Sequence, residues 1–169
     1  VAAYLSALDK DLDIVAGTTA TPLDSRKAVV RGEETAIGNF IADAILTETG
    51  ADIAIVNGGS IRGDRTYPAG AKLTRKDVFR ELPFGNKVVV VELTGKDVRE
   101  ALENAVWFAG KGDGRFGQIA GARIVARKDA VPGTKLTSIM IGGQPLDDAK
   151  LYKVAANDYL TGGKDGYVA

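Results

Sequence analysis

Ile53-Ala54-Ile55-Val56-Asn57-Gly58-Gly59-Ser60-Ile61-Arg62 is the stretch whose reading decides the fold. Its first four residues are an apolar run that reads as a buried strand. The chain leaves that rigid element through a two-glycine turn, where backbone can approach a ligand closely. An amide side chain, Asn57, stands at one end of the turn and a guanidinium, Arg62, at the other. Such groups hydrogen-bond a polar small molecule and grip a carboxylate or phosphate. An ordinary strand-to-loop turn with a surface arginine reads the same from this stretch alone. It is not a phosphate-binding P-loop, because Asp64 stands where the lysine and hydroxyl pair would be needed. Arg62-Gly63-Asp64 also spells an adhesion tripeptide, a match too short to carry weight.

Upstream, Ile37, Phe40, Ile41, Ala44 and Ile45 recur at the spacing of a helix's buried stripe, ending at Gly50. Ile14 to Thr19 reads as a short strand, Pro22 to Lys27 as a polar connector, and 1–13 as a lead-in, interdomain helix. Downstream, a polar loop runs through Pro68 to Gly70. Thr74 with Asp77 and Thr94 with Asp97 are capping-box-like starts of two helices. Pro83-Phe84-Gly85-Asn86 closes the first helix, and the valine-rich Lys87 to Leu93 reads as a strand. Trp107 and Phe108 read as core or helix-end packing at the end of the second helix, before glycine-rich Gly110 to Gly117. Ile119 to Arg127, Lys135 to Ile141 and Tyr152 to Ala156 read as strands, with Gly142-Gly143 and Pro145 as turn residues. Helices interspersed with hairpin-like strand pairs predict an α+β fold, a mixed sheet with packed helices, rather than a regular βαβ series.

The 169 residues fit one domain with enough chain for a core. An apolar content of 45% and a charged content of 26% are those of an ordinary globular protein. Lys+Arg and Asp+Glu balance at 22 each, so no basic field favours nucleic acid or an anionic membrane surface. No apolar run approaches the roughly 20 residues of a membrane span. The absence of cysteine and histidine excludes thiolate nucleophiles, disulfides and the commonest zinc ligands. Acid–base work at neutral pH would need a shifted carboxylate or lysine, so the seat of any hydrolytic chemistry is expected elsewhere. The chain begins at Val1 and stops just after a glycine-rich turn, and is expected to be a piece of a longer protein.

Four loops pair glycines with polar or aromatic side chains at the ends of elements: Asn57–Arg62, Phe84–Asn86, Gly114–Gly121 and Asn157–Tyr167. Phe84, between proline and glycine, is oddly placed for a core residue, and Tyr159 precedes a second glycine cluster. Two such rings either cover the core edge or sandwich a flat heterocycle, at about 1–3 kcal/mol of stacking per base.

Asn-Gly-Gly-Ser-Ile-Arg (57–62), Leu-Pro-Phe-Gly-Asn (82–86), Gly-Arg-Phe-Gly-Gln-Ile-Ala-Gly (114–121) and Asn-Asp-Tyr-Leu (157–160) with Lys-Asp-Gly-Tyr (164–167) occur in that order. Together they resemble the C-terminal, substrate-binding domain of the 5′-nucleotidase family, and Glu34-Thr35 with Gly38-Asn39 fit its opening motif. The resemblance implies a two-domain hydrolase whose N-terminal metallophosphoesterase domain, in cis, carries two divalent metals. The C-terminal domain would recognise the nucleotide and swing to deliver its phosphate to them. On the matching positions it implies that Phe84 and Tyr159 stack on the base and Asn86 meets the base edge. Asn57 and Arg62 would contact the ribose or phosphate side, and Asp165 the ribose hydroxyls. The resemblance implies that no catalytic residue, metal ligand or cofactor site falls on this domain, which by itself would bind and not turn over.

One position departs from the family's pattern. Glu33 stands where an arginine often precedes the motif's glutamate, so Arg31 or Lys164 would have to supply the second anion contact. The departure keeps other ligands of the same architecture open: a nucleotide sugar, a 2′,3′-cyclic nucleotide or a thiosulfonate. A rival of another class is a non-catalytic binding or adhesion module built on Arg62-Gly63-Asp64. The resemblance also implies a secreted, periplasmic or cell-envelope location.

Overall fold

The structure, a computed structural model, describes residues 11–167. In chain order its elements are β1 (Val15–Thr18), β2 (Leu23–Asp24), α1 (Lys27–Val30), α2 (Ala36–Thr49), β3 (Ile53–Asn57), β4 (Thr66–Tyr67), β5 (Lys72–Thr74) and α3 (Arg75–Glu81). There follow β6 (Val88–Thr94), α4 (Gly95–Trp107), β7 (Gly117–Ala120), β8 (Ala122–Ala126), β9 (Leu136–Ile141), β10 (Gln144–Pro145), β11 (Leu151–Asn157) and α5 (Asp158–Thr161). The helix expected over 1–13 lies outside the described residues except for its last three positions, of which 11 and 12 are helical.

The centre is a four-stranded mixed sheet in the order β6-β11-β3-β7, parallel only between β11 and β3. β3 is buried at all five positions because each of its faces is covered. Ala54 and Val56 point into one core with Ile37, Ile41 and Ala42 of α2. Ile53 and Ile55, the alternate positions, point into a second core with Val98 and Leu102 of α4. The same alternation divides β11, with Ala155 on the α2 side and Val154 and Ala156 on the α4 side. A smaller antiparallel sheet, β10-β9-β8, adds Ile139 and Ile141 to the second core. The α+β architecture and mixed sheet expected from the sequence are those observed.

Helix ends follow local chemistry. Thr35 caps α2 by accepting from the Gly38 amide, and Gly50 ends it in the left-handed conformation. Both expected capping boxes form, Thr74–Asp77 at α3 and Thr94–Asp97 at α4.

Several expectations need correction. The single strand expected over Ile119 to Arg127 is two strands in different sheets: β7 belongs to the central sheet and β8 to the smaller one. Gly121 makes the break, with φ +80° and backbone so close to the Asp52 carbonyl that a β-carbon would overlap it. The polar loop after Arg62 and the connector at 22–27 carry the short pair β2–β4, and β5 pairs with β1. Such two- and three-residue strands are too short to show a period. Trp107 and Phe108 do pack at the end of α4: Phe108 is buried and Trp107 partly so, with the Lys111 ammonium 3.6 Å from its ring centroid.

Candidate functional site

The sheet topology brings the four notable loops to one end of the sheet. β3 and β11 are parallel, so their carboxyl ends, Asn57 and Asn157, lie side by side. β6 and β7 run the other way, so the loops that precede them, Phe84–Asn86 and Asp113–Phe116, arrive at the same end. Between these loops lies a cleft of about 600 Å³ lined by Asn57, Phe84, Asn86, Arg115, Tyr159 and Asp165, among others. A crevice outside the carboxyl ends of parallel strands is where open α/β sheets bind ligands.

Buried polar contacts fix its floor. Asn57 is 3% exposed and uses both ends of its amide. Its Nδ2 donates to Asp165 Oδ2 at 2.9 Å, while its Oδ1 accepts from the Ser60 hydroxyl and from Asn157 Nδ2. Asn157 Oδ1 in turn accepts from the Leu160 amide and caps α5, the helix that carries Tyr159. Leaving such a buried amide unpaired costs about 1–3 kcal/mol, so these contacts hold the floor in one arrangement. The Gly58 and Gly59 amides donate to the carbonyls of Phe116 and Gly114, tying the turn to the neighbouring loop rather than presenting it to a ligand.

Asp165 sits on a turn at φ +56°, its other oxygen accepting from the Tyr159 hydroxyl at 3.1 Å. That hydrogen bond, with the carboxylate's charge behind it, raises the Tyr159 pKa. The Tyr159 and Phe84 rings are 44% and 55% exposed on the cleft walls, although rings of that size ordinarily bury.

The cations divide into three situations. Arg62 is exposed at the rim, with Cζ 5.1 Å from the Phe84 ring centroid, and does not line the cleft itself. Arg31 lies beside Gly114 of the cleft lining, its Cζ 3.8 Å from where a β-carbon on Gly114 would be, and its buried Nε has no hydrogen-bond partner. Lys164 is exposed on the Asp165 turn and is not part of the lining, and Glu33 is exposed with its carbonyl accepting from Gln118 Nε2.

Sequence reasoning gave no role to Arg115 or Asp113, which form a 2.8 Å ion pair at the cleft wall. The Arg115 guanidinium beside Asp113 holds its carboxyl down at about 2, with Arg115 and Arg31 charges assisting. Their spacing, two apart in a glycine-rich loop, was the available signal. Among the described residues no group of three or more His, Cys, Asp or Glu could hold a metal ion.

The Arg62-Gly63-Asp64 tripeptide is not a free loop. Asp64 accepts from the Lys27 amide at 2.8 Å, and Gly63 packs so tightly on Glu81 that any β-carbon would overlap its carboxylate.

The family profile described as "5′-nucleotidase, C-terminal domain" matches residues 15–169. The chain belongs to that family. Its relatives include the trifunctional nucleotide phosphoesterase protein YfkN of Bacillus subtilis, 36% identical over 160 residues, which cover 89% of this chain and 11% of YfkN. The protein UshA of Escherichia coli is 36% identical over 161 residues, covering 92% of this chain and 27% of UshA. Among solved structures, the 5′-nucleotidase precursor from Thermus thermophilus superposes with a TM-score of 0.86 at 34% identity, over 98% of this chain and 34% of that one. This 5′-nucleotidase C-terminal domain thus spans about a third or less of the length of these relatives.

Proposed function

We propose that this chain is the nucleotide-recognition domain, 1–169, of a two-domain phosphohydrolase of the 5′-nucleotidase kind, in which it binds substrate and an N-terminal domain in cis cleaves it. The observation that carries the reading is the pairing of exposed Phe84 and Tyr159 rings on one cleft with the Asp165 carboxylate beside them. A base stacks between the rings, with Asn86 at its edge. The ribose diol donates to Asp165, whose position Asn57 fixes. Arg62 takes the anionic group from the rim, with Arg31 or Lys164 as the second anion contact. Two divalent metals held by the N-terminal domain would supply Lewis acidity for the phosphoryl group, while the residues of this chain hold the base, the ribose and the anionic end of the substrate.

The names of YfkN and of the Thermus neighbour, a nucleotide phosphoesterase and a 5′-nucleotidase precursor, support a nucleotide ligand. The word precursor also supports export to the periplasm, envelope or medium. No described helix is long and apolar enough to cross a membrane. Glu33, exposed beside the motif's glutamate, favours testing a nucleotide sugar as the alternative ligand.

An amide-resolved NMR titration with AMP, UMP, adenosine and a nucleotide sugar tests the reading. The expected shifts cluster at 57–62, 84–86 and 159–165. Saturating shifts elsewhere, or none at millimolar ligand, would refute a nucleotide site on this chain.

A further inference from the structure

Glu81 is a carboxylate at the wrong end of a helix. As the last residue of α3 it faces the negative pole of the helix dipole, and it is 6% exposed. A buried charge persists only where donors compensate it, and a conflict between local preference and the fold marks a position with another duty. Glu81 Oε1 accepts from the Tyr67 hydroxyl at 2.7 Å and the Ser25 hydroxyl at 2.9 Å. Its Oε2 accepts from the Gly63 amide at 3.1 Å, and its backbone carbonyl accepts from the Arg62 amide at 2.8 Å. Two consecutive amides of the arginine turn are therefore held by one residue. That residue stands three positions before Phe84, over whose ring the Arg62 guanidinium lies.

We propose that Glu81 is a positioning residue: it staples the Arg62–Gly63 turn to the segment carrying Phe84 and so fixes the anion-gripping guanidinium relative to the stacking ring. The clamp also explains Gly63, the one residue type that fits against the carboxylate. Ser25 and Tyr67 complete it from β2's end and β4, so the short strands serve to hold the turn. A neutral amide at position 81 cannot satisfy three donors, because its nitrogen is itself a donor. The turn then loosens while the stacking rings and Asp165 remain.

The inference rests on the nucleotide reading above, and the test separates the two. AMP and adenosine are titrated into the wild-type chain and the Arg62→Ala, Glu81→Gln, Tyr67→Phe and Arg62→Ala/Glu81→Gln variants. Glu81→Gln is expected to weaken AMP about tenfold, as for one lost charge-assisted hydrogen bond, and adenosine by less than about twofold. In the Arg62→Ala background it should change AMP affinity by less than about twofold, since there is no guanidinium left to position. Tyr67→Phe keeps two of the three donors and should fold even if Glu81→Gln does not. It is expected to give a smaller loss with the same preference, and faster amide exchange at Gly63. Equal losses for both ligands, or effects of Glu81→Gln and Arg62→Ala that simply add, would overturn the positioning role and leave the nucleotide site standing. Binding of neither ligand by the wild type would overturn the nucleotide reading, and this inference with it.

Discussion

Asp165 shows how much one side chain can be asked to do. Its two oxygens are already engaged by Asn57 and Tyr159, and its backbone sits at φ +56°, where Asn is tolerated better than Ala. Asp165→Asn is therefore the informative substitution. It is expected to weaken adenosine about tenfold and 2′,3′-dideoxyadenosine hardly at all, because only the former donates to the carboxylate. Equal affinity of the variant and the wild type for adenosine would remove Asp165 from ribose recognition. The same change should bring the Tyr159 phenol back toward the ordinary value of about 10, read from phenolate absorption, since the Asp165 hydrogen bond is what raises it. The loops that carry Asn57, Phe84, Asn86 and Tyr159 to the cleft were legible, because glycines grouped with polar or aromatic side chains at the ends of elements are a local signature. Arg115 was not: its pairing with Asp113, two residues away, is local, but its place on the cleft wall depends on where β7 begins.

At the scale of elements, α4 and the β7–β8 junction respond differently to substitution. α4 begins in a capping box whose Thr94 accepts from the Asp97 amide and whose hydroxyl donates back to the Asp97 carboxylate. Thr94→Ala is expected to cost about 1 kcal/mol, seen as a lower denaturant midpoint with an unchanged slope. Gly121→Ala should cost more, because the residue is at φ +80° and its β-carbon would meet the Asp52 carbonyl. A smaller loss at Gly121 than at Thr94 would mean that the two sheets can slide to absorb the side chain. The caps were readable because a box spans four residues. The switch between sheets was not, since Ile119 to Arg127 is a continuous strand pattern broken by a glycine whose role is set by a distant carbonyl.

For the whole molecule, the charge inventory sets an acid and an alkaline limit with a plateau between. Asp24, Asp77 and Asp113 have folded-state pKa values below their usual range, Asp24 and Asp113 through hydrogen bonds from Arg26 and Arg115. At Asp77 partial burial pushes the value up, but the Thr74 amide and hydroxyl together with the Arg80 and Arg65 charges bring it below the usual range. Groups with depressed values stabilise the fold above about pH 4 and lose that contribution as pH falls toward 2. Tyr67 and Tyr167 are raised by burial, Tyr67 also by its bond to Glu81, and their contribution is complete below about pH 10 and lost as pH rises through the raised values. With no histidine, no side chain of ordinary pKa titrates between these limits. Melting temperature is therefore expected to be flat from about pH 5 to 9 and to fall on both sides; a step between pH 6 and 8 would contradict the assignment. The sequence by itself determined the fold class, the caps and the loops that bear the site, because helical period, capping and glycine placement act over a few residues. Only the tertiary structure decided that those loops meet. The parallel pairing of β3 with β11, flanked by two antiparallel strands, is what brings segments a hundred residues apart to one end of the sheet, and no local pattern encodes the direction in which distant strands pair.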